Sequence, residues 1–100
     1  MAIDIEWQDE RGQTIARYSG PRLDLKLLLL FPASSVCLSA IKPWDDATFN
    51  QSQVPTLLAE LDTILTPGSG RTPPASLNAI RQFIKDGTGQ PHTFLKFIGD

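Results

Sequence analysis

The chain closes on an apolar run. His92-Thr93-Phe94-Leu95-Lys96-Phe97-Ile98 is followed only by Gly99 and Asp100. A terminal segment frays unless it is tied into a sheet or docked on a core. Apolar side chains occupy both alternating sets of this run, so a strand made from it has no face suited to water. The run therefore predicts an interior strand. It can insert beside or between earlier strands.

The start of the chain also reads as a strand. Ile3-Asp4-Ile5-Glu6-Trp7 alternates apolar and acidic, the pattern of a half-buried strand with Ile3, Ile5 and Trp7 inward. Asp9-Glu10-Arg11-Gly12 reads as a type I turn, with Asp first and Gly fourth. Gln13 to Tyr18 returns as the second strand of a hairpin. Two registers are open. One sets Asp4 opposite Arg17 on the wet face. The other pairs Trp7 with Ile15 and puts Arg17 on the apolar face; the first costs less, but a Gly bulge after the turn would favour the second.

Ser19-Gly20-Pro21 then breaks the pattern. In Arg22 to Phe31, Leu23, Leu25 and Leu27 alternate like a strand, while the unbranched Leu-rich composition tips the balance toward a short helix or irregular apolar turn. Val36-Cys37-Leu38-Ser39-Ala40-Ile41 predicts the middle strand. Lys42 to Gln51 reads as a polar loop. Val54, Leu57, Leu58, Leu61, Ile64 and Leu65 form one apolar helical stripe, with Ser52 as its expected N-cap. Thr66 to Arg71 is a Gly-rich linker, and Thr72-Pro73 opens a second helix. Leu77, Ile80, Phe83 and Ile84 are that helix's buried stripe, and Gly87 its stop. Strands gathered early and helices late predict a single α+β domain over residues 1–100. Its sheet would be mainly antiparallel, with three to four strands: the N-terminal hairpin, the middle strand and the C-terminal strand. Two helices would pack on one face.

Composition narrows the function classes. A net charge of -2 argues against sequence-independent nucleic-acid binding, which needs a basic face to neutralise phosphates. Leu27 to Ala33 is the longest apolar run, well short of the ~20 residues of a membrane span. Met1-Ala2-Ile3-Asp4-Ile5-Glu6 is acidic where a secretory signal is basic and then apolar. The single cysteine, Cys37, has no internal disulfide partner, which fits a reducing compartment. The expectation is a cytoplasmic protein.

Chemistry-bearing residues are sparse. His92 is the only side chain that titrates near neutrality unperturbed, yet the sequence places no group to orient its ring. Cys37 lies in an apolar stretch, where a thiol behaves as a small hydrophobe. The two would meet only if their strands pair, and an enzyme using His92 with Cys37 or an Asp is the alternative reading that this leaves. Asp45-Asp46 lack the Gly and distal Glu of a calcium loop. One Cys and one His cannot fill a zinc site. Gly68-Ser69-Gly70-Arg71-Thr72 lacks the Lys-Ser/Thr pair of a phosphate-binding loop and follows a helix instead of a strand. No cofactor, metal site or catalytic set is expected. The most suggestive segment is the loop carrying Trp44, Asp45, Asp46, Phe49 and Asn50, because aromatics on long loops often anchor partners. With His92, these are the candidate binding residues. The dull reading of Trp44 and Phe49 is that both fold back over a core edge.

Asp4-Ile5-Glu6-Trp7, Phe49-Asn50-Gln51 before a Leu-rich helix, and the ending Phe94-Leu95-Lys96-Phe97-Ile98-Gly99-Asp100 together resemble a family of small bacterial hypothetical proteins of about this length. The C-terminal stretch carries most of the likeness. Trp44-Asp45-Asp46 departs from it, standing where an aromatic, a Gly and an Asp would be expected. The resemblance implies bacterial origin and one small domain, with no activity attached. The sparse chemistry and the Trp44 loop lead to the expectation of a non-enzymatic protein-binding module, immunity-like, antitoxin-like or pairing with its own copy.

Overall fold

A computed structural model of the chain describes residues 2–21, 23–24, 28, 31, 34–42, 44–65 and 75–99. The elements run β1 (Ala2–Asp9), β2 (Thr14–Arg17), β3 (Leu23–Asp24), a 3-10 turn (Leu38–Ala40), β4 (Ala47–Asn50), α1 (Val54–Leu65), α2 (Ala75–Asp86) and β5 (Thr93–Ile98). The fold is α+β, an antiparallel sheet with two helices. Strand order is β2-β1-β5-β4, and the two-residue β3 also pairs with β1. The last strand thus lies inside the sheet, between β1 and β4. Its inward residues Thr93, Leu95 and Phe97 are buried, and Phe94, Lys96 and Ile98 on the other face are half-buried. The helices cover the inward face with Val54, Leu57 and Leu61 of α1 and Leu77, Ile80 and Ile84 of α2, against Ile3, Ile5 and Trp7 of β1.

The β1–β2 pairing begins in the second expected register, which sets Gln8 opposite Thr14, and leaves it one residue later. Gln8 faces Thr14, Ile15 is then skipped, and Trp7 faces Ala16 while Glu6 faces Arg17. The extra residue is a bulge, and its physical cause is Glu6. Its carboxylate accepts from Thr14 Oγ1 at 2.7 Å and Arg17 Nε at 3.0 Å, one on each side of the bulge, and from Gln8 Nε2 at 3.1 Å. Glu6 is only 5% exposed although it points to the face away from the helices. The Thr14 hydroxyl, helped by Gln8 and Arg17, holds its carboxyl below the ordinary value against the opposing cost of burial. The turn itself is as expected: the Gly12 N–H donates to the Asp9 carbonyl at 3.0 Å, and Gly12 takes φ 80°.

The middle strand is displaced. Val36–Ile41 does not form a strand; it is a turn, and the polar segment after it supplies β4. The reason lies in α1. Glu60 accepts the backbone N–H of Val36 at 2.6 Å, and those of Cys37 and Leu38 at 3.0 Å each. Three successive donors converging on one carboxylate are no longer available to a sheet ladder. The turn buries Cys37, Leu38 and Ile41 and leaves Val36 76% exposed. Ser52 is likewise not the helix cap. Asn50 Oδ1 accepts the Gln53 N–H at 3.0 Å, and Gln53 Oε1 accepts the Asn50 N–H at 2.9 Å, a reciprocal capping box. In 22–31, Leu23–Asp24 is strand and the Phe31 N–H donates to the Leu28 carbonyl at 3.1 Å in a turn; the other positions of that stretch, the linker at 66–71 and the Thr72-Pro73 cap lie outside the described residues.

Candidate functional site

The Lys42–Gln51 segment separates into two parts. Phe49, on the inward face of β4, is buried and meets Phe97 edge-on at 5.8 Å between ring centroids. Asn50 is occupied by the capping box. Trp44 is different: it is 67% exposed and covers no core edge. It sits on a tight turn closed by a bridge between Lys42 and Asp45, with Lys42 Nζ 5.9 Å from the indole centroid. The turn is clamped to the end of β5. Asp46 Oδ1 accepts the Gly99 N–H at 3.0 Å, and Asp46 Oδ2 lies 3.7 Å from Lys96 Nζ. A Cβ on Gly99 would overlap the Asp45 backbone, so the close approach requires glycine there. Asp45 turns its Oδ1 onto the Asp46 N–H at 2.9 Å. The two acids therefore shape the turn and brace an exposed aromatic.

His92 is at the other end of β5. Its side chain is 77% exposed, its backbone has φ 60°, and Nδ1 lies 3.4 Å from Glu10 Oε2. From His92 to Gly99 is seven residues of extended chain, roughly 23 Å, so His92 and Asp46 work at opposite ends of the strand. Cys37 is buried, with Sγ 3.8 Å from the Gln53 carbonyl. Burial, and then the Glu60 carboxylate, push its thiol pKa up, the reverse of what a nucleophile needs. His92 and Cys37 have separate partners. Among the described residues, no group of three or more His, Cys, Asp or Glu side chains is placed to hold a metal, and no helix is long and apolar enough to cross a membrane.

The concave feature is one that sequence reasoning missed. A cleft of about 300 Å³ opens beside β2, lined by Trp7, Ile15, Ala16, Phe83, Asp86, Gly87, Gln90 and Thr93. Trp7 is its floor. The indole Nε1 donates to the Phe83 carbonyl at 3.2 Å, and the ring lies flat enough on Gly87 that any Cβ there would overlap it. Gln51 ties the far wall together: Nε2 donates to the Gly87 carbonyl at 3.1 Å and to Thr93 Oγ1 at 2.6 Å, and Oε1 accepts the Gly89 N–H at 2.9 Å. The bulge delivers the near wall, because the inserted Ile15 joins Ala16 at the cleft and stays 55% exposed. Alternation cannot reveal a skipped residue, so nothing local marked Ile15 as a surface side chain. Gln51 had a readable signal, its place inside an Asn-x-x-Gln helix start.

Comparison with protein-family models, curated proteins and solved structures finds no match for this chain.

Proposed function

We propose that this chain is a non-enzymatic protein-binding module of the bacterial cytoplasm, and that Trp44 is its anchor. One observation carries the reading. A large aromatic is held out on a turn that Asp45, Asp46, Lys96 and Gly99 keep in place, while its loop neighbour Phe49 goes to the core. A braced, exposed Trp loses little further entropy on binding and buries a large surface, which is why Trp is enriched at binding hot spots. The separate placement of His92 and Cys37 supports binding over catalysis. The small size and net negative charge suit an immunity-like or antitoxin-like inhibitor as well as self-pairing.

The test is Trp44→Ala. Light scattering across a concentration series reads self-association, and co-purification with the products of the adjacent genes reads a foreign partner. The wild type is expected to associate in one of these assays and Trp44→Ala to lose that association, with an unchanged circular dichroism spectrum. An oligomeric state and partner set identical in the two proteins would overturn the reading.

A further inference from the structure

We propose that the cleft beside β2 receives an extended peptide segment of a partner protein. The segment would lie along β2, place one apolar side chain on Trp7 and Phe83, and set a Lys or Arg side chain against Asp86. This deepens the binding-module reading and rests on its class, while using a surface at the opposite end of β5 from Trp44.

Three features select this occupant. The first is the strand edge. β2 is the outermost strand of the described sheet and pairs only with β1. The Tyr18 N–H donates to the Ile5 carbonyl at 2.9 Å, so the antiparallel alternation turns the N–H and C=O of Arg17 away from β1, toward an incoming strand. Edge pairing supplies main-chain hydrogen bonds, and an adjacent pocket supplies side-chain selectivity. The second feature is the cleft, whose Trp7, Ile15, Ala16 and Phe83 surfaces suit one aliphatic or aromatic side chain. The third is charge. Asp86 is the one charged residue lining the cleft, and it closes the C-terminal turn of α2. A carboxylate there adds to the negative end of the helix dipole, where cations are favoured. Together they mark the site for a basic group. The bulge blunts β2 against flat edge-to-edge pairing of two sheets, so a single flexible strand fits better than a second copy of this chain.

The experiment pans a display library of random seven-residue peptides on the full chain and maps an enriched peptide by amide NMR. Enriched peptides are expected to carry a large apolar residue with Lys or Arg within two positions. They should shift the amides of Thr14 to Arg17 and Gly87 to Thr93, and the Trp7 indole N–H. Asp86→Asn should weaken the basic peptides by about threefold, the size of a rim ion pair. Ile15→Lys, at an already exposed position, should weaken them by about tenfold. Trp44→Ala should leave peptide binding unchanged, so failure of this site and failure of the Trp44 reading are separable. No enrichment, unchanged affinity for Ile15→Lys, shifts confined to the Trp44 turn, or the same cleft shifts appearing with concentration in the absence of peptide would each overturn the proposal.

Discussion

Glu6 and Glu60 each organise an irregular stretch of backbone with one carboxylate, yet they do it differently. Glu6 grips side chains close by in sequence, Thr14 and Arg17, eight and eleven residues away. The two strands it joins still pair, and the only trace is one skipped residue. Glu60 reaches back 22 to 24 residues and takes three backbone donors outright. There the strand is not bent but replaced. An acid that binds side chains adjusts a ladder; one that binds successive N–H groups competes with the ladder itself.

The comparison breaks first at the strand both halves depend on. β1 is flanked by β2 on one side and β5 on the other, and β4 pairs with β5. Deleting Phe94 to Asp100 removes the centre of the sheet and leaves the β1–β2 hairpin with only the two-residue β3 beside it, and a bare hairpin is marginal in water. Loss of any cooperative thermal transition by circular dichroism is expected. A truncated chain that still melted cooperatively would show that β5 is peripheral, and neither glutamate's role could then be read from this sheet.

The next largest effect belongs to Glu60. Glu60→Ala strips the acceptor from three N–H groups, two of them on the buried residues Cys37 and Leu38. Charged hydrogen bonds and the donors they leave behind put the cost at about 2–4 kcal/mol by urea denaturation. Amide exchange at Val36, Cys37 and Leu38 should accelerate while that of Trp7 and Ala16 holds steady. Uniform acceleration across both regions would mean the turn is not a separate unit.

These two regions also explain what could be read in advance. The hairpin, both helix stripes and the interior last strand were legible because each rests on a pattern that its own residues display: the alternation of Ile3, Ile5 and Trp7 for β1, the spacing of Leu77, Ile80 and Ile84 for α2, or the apolar run of β5. Val36–Ile41 displays a strand's composition, but its fate is decided by a residue on a helix not yet formed when the segment is read. β4 was hidden for the opposite reason. Ala47-Thr48-Phe49-Asn50 carries only two inward apolar residues, and β5 recruits it by pairing. At the candidate surfaces, Trp44 was visible as a loop aromatic. The cleft was not, since Trp7, Ile15 and Phe83 come together only through the bulge and the approach of Gly87 to the indole.

Glu6→Ala should cost less than Glu60→Ala, about 1–2 kcal/mol, because its partners are side chains that water can serve once released. Its distinctive consequence is in register. Without a carboxylate gripping Thr14 and Arg17 at once, the bulge loses its clamp, and Ile15 can return to the ladder opposite Trp7. The backbone cross-strand NOE between position 6 and Arg17 should weaken in the variant, and the Ile15 side chain should become less accessible. A pairing of position 6 with Arg17 kept at full stability would assign the bulge to the turn alone.

The smallest effect is in pH, and it isolates the ionised form. Glu6 has its pKa lowered from 4.5 in the folded chain. A depressed carboxylate stabilises the fold fully above its unfolded value, and that contribution fades as the pH falls through the folded value. The comparison protein is Glu6→Gln, which keeps the shape and cannot titrate. The facing groups are Thr14, Gln8 and Arg17, with Lys96 opposite on β5, and neither cation changes charge in the range. The stability gap between wild type and Glu6→Gln should be constant from pH 7 down to about 5, narrow below pH 4.5, and close at more acidic pH. Other carboxylates titrate in both proteins and cancel in the difference. A gap that stayed constant to pH 3 would show that Thr14 and Arg17 hold the shape of this side chain and not its charge, and Glu6 would then differ from Glu60 only in which donors it meets.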